Sequence, residues 1–324
     1  MRGVSAGAGG TVSAPRLVVS IGLSAAIVSV AEEMPRVLAV HHDGEPDALP
    51  FGPFDPTAHR TLEIGLRSWV NEQTDFDLGY AEQLYTFGDR GRHLVKAGEG
   101  PRLVSVGYLA LTRASSTAKA APGTLWRSWY GFFPWEDWRR ERPAIIDALI
   151  VPALKAFAKG DDLKRERVRL AFGLDGPSWD EEKVLERYEL LYEAGLVEEA
   201  RRDGRANAQP PATPLGAPMQ FDHRRILATA IARLRGKMKY RPVVFELMPP
   251  QFTLLALQRT VEAISGVRLH KQNFRRLVEE QGLVEGTGKF ARAARGRPAE
   301  LFRFRREVIS ERPAPGVRLG VRRT

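Results

Sequence analysis

The chain has 324 residues, 43% hydrophobic and 27% charged, which describes a core-forming protein longer than one ordinary domain. It contains no cysteine, which excludes a disulfide scaffold, a thiolate metal site, a cysteine nucleophile and an iron–sulfur cluster. The formal charge is +10 and unevenly placed: residues 221–324 hold 23 Lys and Arg against 9 Asp and Glu, a local +14, while residues 1–220 sum to −4. A mildly acidic body joined to a basic last third points to a polyanion partner, nucleic acid above all, against the plain alternative of a solvated basic face.

Residues 1–16, rich in Gly, Ala and Ser, read as a flexible leader. The longest apolar stretch, Leu17 to Ala31, is too short to span a bilayer. Its basic flank and small-residue ending resemble a signal peptide. The preferred reading is a buried strand, Ile21–Val30, turning near Met34-Pro35 into a second strand, Arg36–Val40. Thr61 is placed to cap a helix whose apolar face carries Leu62, Leu66, Trp69 and Val70. Leu103–Leu111 is a further β-rich run, so residues 17–125 read as an α+β unit.

Residues 126–200 read as helical. Pro143 can open a helix carrying Ile145, Ile146, Leu149 and Ile150 before Pro152 perturbs it. Ser178-Trp179-Asp180-Glu181 has the form of a capping box, followed by an apolar stripe of Val184, Leu185, Tyr188, Leu191 and Tyr192 that Gly195 ends. The aromatic cluster Trp126, Trp129, Tyr130, Phe132, Phe133, Trp135 and Trp138 is better explained as core than as a base-stacking platform. Residues 201–219, with Pro210-Pro211, Pro214 and Pro218, read as a linker falling where the charge changes sign.

From Phe221 the spacing predicts three helices. The first, capped by Asp222, buries Ile226, Leu227, Ala230, Ile231, Leu234 and Met238 and turns Arg224, Arg225, Arg233 and Lys237 away. The second follows Thr253 and closes at Gly266, and after a short turn the third buries Phe274, Leu277 and Val278. Helix, short glycine-bearing turn, helix is the helix-turn-helix arrangement. The outward residues of the third helix, Lys271, Gln272, Asn273, Arg275 and Arg276, are types that chelate bases or phosphates. Leu283–Glu285 and Glu300–Arg305 flank a basic loop, 286–298, bearing Lys289, Arg292, Arg295 and Arg297, which reads as a wing. Phe302 and Phe304 fall on one side of its second strand, Arg303 and Arg305 on the other. Residues 220–306 thus form a winged helix-turn-helix unit, followed by a basic tail, 307–324.

This carboxy-terminal stretch resembles the Nudix-related transcriptional regulators of NAD metabolism. The residues that carry the resemblance are Phe221-Asp222-His223, Phe252-Thr253-Leu254, Asn273-Phe274-Arg275-Arg276, Gly282-Leu283 and Gly296-Arg297-Pro298-Ala299. The amino-terminal block resembles that family's degenerate Nudix domain through Glu82–Asp89 and Val104–Leu111, whereas residues 126–200 suggest an enlarged variant. The resemblance implies a Nudix-like mixed α/β sandwich with a helical extension, then a winged helix. Nudix hydrolysis needs several carboxylates on one helix to gather Mg²⁺. The best register, Ser68–Phe76, places Trp69, Glu72 and Gln73 at those positions, with Arg60 upstream. Shifting by one gives Ser68, Asn71 and Glu72, with His59 upstream. Only Glu72 is acidic in either register, so the expectation is a body without hydrolase activity that binds a ligand. The resemblance further implies ADP-ribose or another NAD-derived effector, no required cofactor and no metal. The partner it implies is a palindromic double-stranded DNA operator, read by a cytoplasmic homodimer with no membrane association. Arg60, Tyr85, Asp89, Arg90 and Arg92 are the candidates for the effector pocket. A Nudix-type nucleoside diphosphate hydrolase with an atypical metal site is the alternative, and an RNA-binding or scaffolding protein a third reading. The six histidines show no metal-ligand spacing, and His41-His42-Asp43 reads as a strand end or turn.

Overall fold

The computed structural model describes residues 19–75, 78–89, 102–113, 121–205, 213–291, 298–311, 314 and 316–317. The apolar opening run is β1 (Val19–Ala31), the middle strand of a mixed sheet. It pairs in parallel with β5 (Arg102–Leu111) on one side, and antiparallel with β2 (Met34–Val40) and the short β3 (Phe51–Pro53) on the other. β4 (Tyr80–Phe87) extends the sheet beyond β5, and β6 (Thr124–Ser128) extends it beyond β2. A strand covered on both faces is apolar on both sides, here with Ser24 and Ser29 buried among the apolar residues, which is why this segment mimics a signal peptide. The turn after β1 falls at Glu32-Glu33 and not near Met34-Pro35. Both glutamates have positive φ, as a two-residue hairpin turn requires, and Pro35 pairs with Val30 inside β2. No helix among the described residues is long and apolar enough to cross a membrane.

One face of the sheet is covered by α1 (Leu62–Thr74), capped as expected by the Thr61 hydroxyl, which accepts from the Ile64 amide at 3.2 Å. Leu66 and Val70 of α1 pack on Leu23, Ala25, Ile27, Val106, Tyr108 and Ala110. The opposite face, built from Ala26, Val28, Val37, Leu109 and Leu111, is covered by α7 (His223–Met238). Gly107 permits that approach, since a Cβ there would sit 3.0 Å from Ile226 and 3.1 Å from Phe87.

The position of α7 changes the reading of the basic third. Its apolar stripe belongs to the sheet sandwich, and its cations turn inward as well as outward. Arg224 and Arg235 are fully buried, and Arg225, Lys237 and Lys239 are paired with carboxylates of the first 220 residues. Burial pulls the Lys237 ammonium down, but its bonds to Glu82 and Tyr80 outweigh this and hold it above the usual lysine range. Much of the excess positive charge therefore neutralises the body's acidic residues and is not offered to a partner.

The segment after β6 carries α2 (Trp129–Phe132), then a wide turn at Ile146–Ile150 that runs into α3 (Val151–Phe157). It continues through α4 (Asp162–Phe172), α5 (Val184–Glu193) and α6 (Glu198–Arg202). Residues 126–128 are still sheet, so the extension grows out of an edge strand. The capping box does not form. Asp180 accepts from the Glu182 amide at 2.9 Å, the chain turns once more, and α5 begins only at Val184. Trp129, Phe132, Phe133 and Trp135 are buried, as the core reading of the aromatic cluster expects.

At the centre lies a buried carboxylate, Glu136. Arg187 grips it with two bonds of 2.6 and 2.9 Å, and Arg235 adds a third at 2.6 Å. The Arg187 guanidinium stacks 3.7 Å from the centre of the Trp179 ring and donates to the Ala171 and Asp180 carbonyls. Arg235 also donates to the Glu181 and Ile264 carbonyls. Burial pushes the Glu136 carboxyl up, but the two guanidiniums outweigh it and hold the acid below its ordinary 4.5. A second buried pair, Arg224–Glu199 at 3.2 Å, is ringed by Phe133, Trp135 and Tyr188. The chain end returns to α7: after α10 (Val308–Glu311), the Val317 amide donates to the Met238 carbonyl at 2.7 Å.

Glu136→Gln leaves two buried guanidiniums without their counter-charge. It is expected to cost about 3–5 kcal/mol in urea unfolding. Because the folded-state pKa is depressed, the stabilisation is present above the ordinary glutamate value and lost as pH falls through the lowered one. The wild-type chain should lose stability on acidification below about pH 4.5, more steeply than the variant.

Candidate nucleic-acid interface and sensor cleft

The reading head is built on α8 (Leu254–Ser265) and α9 (Lys271–Glu280). Thr253 caps α8, its hydroxyl accepting from the Ala256 amide at 3.1 Å, and Gly266 ends it with a φ of 77°. Gly266 is required on a second count: a Cβ would collide with the Glu136 carbonyl oxygen. The turn between the helices is organised by Glu262, whose buried carboxylate accepts from the Leu269 amide, Gln258, Arg259 and Arg268 at 2.8 to 2.9 Å. Gln258 also donates to the Leu269 carbonyl at 2.8 Å. Both polar groups of the Leu269 backbone are thus tied to α8, two residues before α9 starts.

On α9, Phe274 and Val278 are buried, while Lys271, Gln272, Asn273, Arg275 and Arg276 are all exposed. The five residues proposed from spacing therefore share the solvent side of one helix. Arg276 has only a loose ion pair with Glu280, at 3.8 Å, with both side chains open to solvent.

The wing is the hairpin of β7 (Val284–Phe290) and β8 (Glu300–Phe304). Phe252 attaches it to the head through paired backbone bonds with Phe302 of 2.8 and 3.0 Å, and the Phe245 and Phe304 rings stack at 4.3 Å. The first strand runs five residues beyond the expected Leu283–Glu285, so Lys289 lies on the strand and not in the loop. It is exposed, as is Phe290 beside it at 60%, an aromatic that the sequence reading did not single out. Arg303 and Arg305 are engaged by Glu285 and Glu311. Arg292, Arg295 and Arg297 lie outside the described residues.

On the body, α1 shows what occupies the positions where a hydrolase would hold carboxylates. Trp69 donates from its ring nitrogen to the Pro53 carbonyl at 2.7 Å, and Gln73 bonds both polar groups of the Phe51 backbone at 2.6 and 3.1 Å. These side chains clamp β3 onto the helix. Gly52 must be glycine, since a Cβ would fall inside the Trp69 ring. Glu63 is held by Arg67 at 2.8 Å, and Glu72 accepts from the Ser68 hydroxyl at 2.9 Å. Among the described residues no three His, Asp or Glu side chains are grouped to hold a metal.

Of the proposed effector residues that the structure describes, Tyr85 alone lines the cleft between β4, α5 and α7. Arg60 lies in the bend before α1, on the sheet face that α1 covers. Tyr85 and Asp89 lie toward α7 on the other face, separated from Arg60 by the sheet. Asp89 is tied to Arg225, which also binds Glu189 at 2.6 Å. Arg90 and Arg92 lie outside the described residues. Tyr85, 56% exposed, borders a cleft of about 410 Å³ between β4, the start of α5 and α7. Arg233, Thr229, Lys183, Glu186 and Tyr240 line it with Tyr85.

Comparison with known proteins bears on the winged helix and on the overall fold. Residues 244–304 match the family model of the NrtR DNA-binding winged helix domain. A stretch of 86 residues, 26% of the chain, is 45% identical to the "ADPR responsive transcriptional repressor NtrR" of Acinetobacter baylyi. The match spans about a third of that repressor's length, 34%. Among solved structures, Shewanella oneidensis NrtR complexed with a 27mer DNA superposes with a TM-score of 0.53 at 21% identity, covering 91% of this chain and 96% of that one. A MutT/nudix family protein from Enterococcus faecalis superposes with a TM-score of 0.51 at 15% identity, covering 90% and 89%. The architecture is a Nudix-like body with an NrtR-type winged helix at its carboxy-terminal end.

Glu262→Gln keeps the shape of the turn acceptor but removes the charge that binds Arg259 and Arg268. It should lower stability by about 1–3 kcal/mol in chemical denaturation, with far-UV circular dichroism unchanged.

Proposed function

We propose that the protein is a DNA-binding transcriptional repressor whose Nudix-like body senses ADP-ribose or a related NAD-derived nucleotide without hydrolysing it. The observation that carries this reading is the α9 surface. Five exposed residues able to bond bases or phosphates stand on a recognition helix whose preceding turn is fixed by a buried carboxylate. The wing, with Lys289 exposed on β7, is suited to phosphates beside the groove, and Arg292, Arg295 and Arg297 of its loop belong to the same proposal. The matched winged-helix family and the name of the Acinetobacter relative support the DNA partner and the effector class.

In this reading the protein acts in the cytoplasm as a homodimer on a palindromic operator, with recognition helices about 34–36 Å apart. Its body extends to about residue 240, so that α7 stays with the sheet it covers, and the reading head begins near Val243. No cofactor is required. Inactivity is supported by α1, where Trp69 and Gln73 serve to hold β3 and, among the described residues, Glu72 belongs to no group of three His, Asp or Glu side chains.

The effector site that best fits the geometry is the Tyr85 cleft. An aromatic ring, Arg233 and Lys183 there offer stacking and anion contacts to a nucleotide. The helix bordering the cleft, α7, carries Arg235 on another side, which holds the Ile264 carbonyl at the end of α8. An effector alters DNA affinity only by binding the two states unequally, and α7 both lines the cleft and holds the end of α8, the helix before α9.

Arg276→Ala should weaken operator binding by about 1–3 kcal/mol and relax base preference, read by fluorescence anisotropy on operator and mutated duplexes. Equal loss on random DNA would assign Arg276 to a phosphate instead. In the presence of Mg²⁺ or Mn²⁺, no turnover of ADP-ribose is expected. Turnover that Glu72→Gln abolishes would establish the hydrolase alternative. Tyr85→Ala should reduce the effect of ADP-ribose on operator affinity while leaving affinity without effector unchanged.

A further inference from the structure

The extension between β6 and α5 touches the reading head at its turn. The Trp138 amide donates to the Gly266 carbonyl at 2.7 Å, and Trp138 forms a parallel bridge with Val267. Arg268 donates back to the Arg139 carbonyl at 3.0 Å. The loop Trp138–Arg142 therefore lies beside the segment that leads into Lys271.

That loop is held at nearly every residue. The Trp138 ring packs 4.3 Å from Trp179 and its nitrogen donates to the Trp135 carbonyl. Arg139 is bound to Asp137 by bonds of 2.7 and 2.8 Å and to the Glu33 carbonyl at 2.5 Å. Arg142 is bound to Asp147 at 2.7 and 2.9 Å. Arg140, between them, is exposed and has no ion pair among the described residues. A cation on a fixed backbone, one residue after the carbonyl that exposed Arg268 bonds in the turn of a helix-turn-helix, is placed for a polyanion.

We propose that Arg140 is a contact to the DNA phosphate backbone supplied by the extension. The inference rests on the DNA-binding reading and adds to it a clamp outside the winged helix itself. Its energetic basis is that the loop is already ordered, so binding restricts only one side chain. Exposed Glu141 opposes the contact by its charge, which gives the site a second handle of opposite sign.

The test uses the full chain, an operator duplex and a random duplex of equal length, across a salt series. Arg140→Ala should lose affinity by the same factor on both duplexes and make the slope of log K against log salt shallower by about 0.9. Arg140→Lys should keep that slope, and Glu141→Gln should tighten binding to both duplexes. Unchanged affinity and slope in Arg140→Ala, in a variant with wild-type thermal unfolding, overturns the inference. A loss confined to the operator overturns it too, since that behaviour belongs to a base contact. Failure of the wild-type chain to bind any duplex sinks the DNA reading itself, and Arg140 with it.

Discussion

The arrangement depends on one carboxylate, Glu136, shared by arginines from two helices. A charge taken fully out of water is tolerated only if its partners are close and their remaining donors are satisfied. Here Arg187 reaches two carbonyls besides Glu136, and Arg235 reaches those of Glu181 and Ile264. The network therefore joins the extension, the helix that covers the sheet, and the end of the first helix of the reading head. Removing any member strands the others, so the three parts are energetically one unit. Tyr130 reinforces this, donating its hydroxyl to the Ala263 carbonyl at 2.7 Å.

This explains how an acidic body and a basic last third coexist in one chain. The asymmetry is read most simply as a body and a DNA-binding tail, but part of it is internal complementarity. Arg224, Arg225, Arg235 and Lys237 of α7, and Lys239 just beyond it, are engaged by Glu199, Glu189, Glu136, Glu82 and Glu181, all from the acidic portion. Among the described residues, exposed cations without a close carboxylate stand on α9, at Lys289 of β7 and at Arg140 of the extension. A charge total marks the presence of a polyanion site poorly, whereas the outward face of a single helix marks it well.

The elements with strong local pattern were legible: β1 from its unbroken apolar run, α1 from its cap and stripe, and the turn between α8 and α9 from Thr253 and Gly266. The buried Phe274 and Val278 and the exposed side of α9 followed from helical periodicity, whereas of the N-caps expected from sequence only Thr61 and Thr253 formed. The misreadings came where distant residues decide. Asp222 precedes the helix without capping it, its carboxylate pairing with Arg225 instead, and nothing local reveals that the apolar stripe of the helix meets a sheet nearly two hundred residues earlier. The capping box failed because Asp180 found a nearer amide and its carbonyl went to Arg187. Arg60 and Tyr85 were grouped by residue type, and a sheet separates them. Phe290 went unmarked because the strand was ended too early at Glu285.

The extension is then more than an ornament on a Nudix-like sandwich. In a chain where the head were tied to the body only by a linker, an event at the sheet would have little to act on. Here Gly266 fits against the Glu136 carbonyl so closely that no other residue is admitted, and the next residue is bridged to Trp138. The recognition helix starts five residues after that contact, with its approach fixed by Glu262. A displacement of α7 by a molecule in the Tyr85 cleft must either break the Arg235 bonds or carry the turn with it. Because the buried charges make breaking costly, moving the turn is the easier response, and in the proposed reading the orientation of α9 is what an effector bound to the body would change.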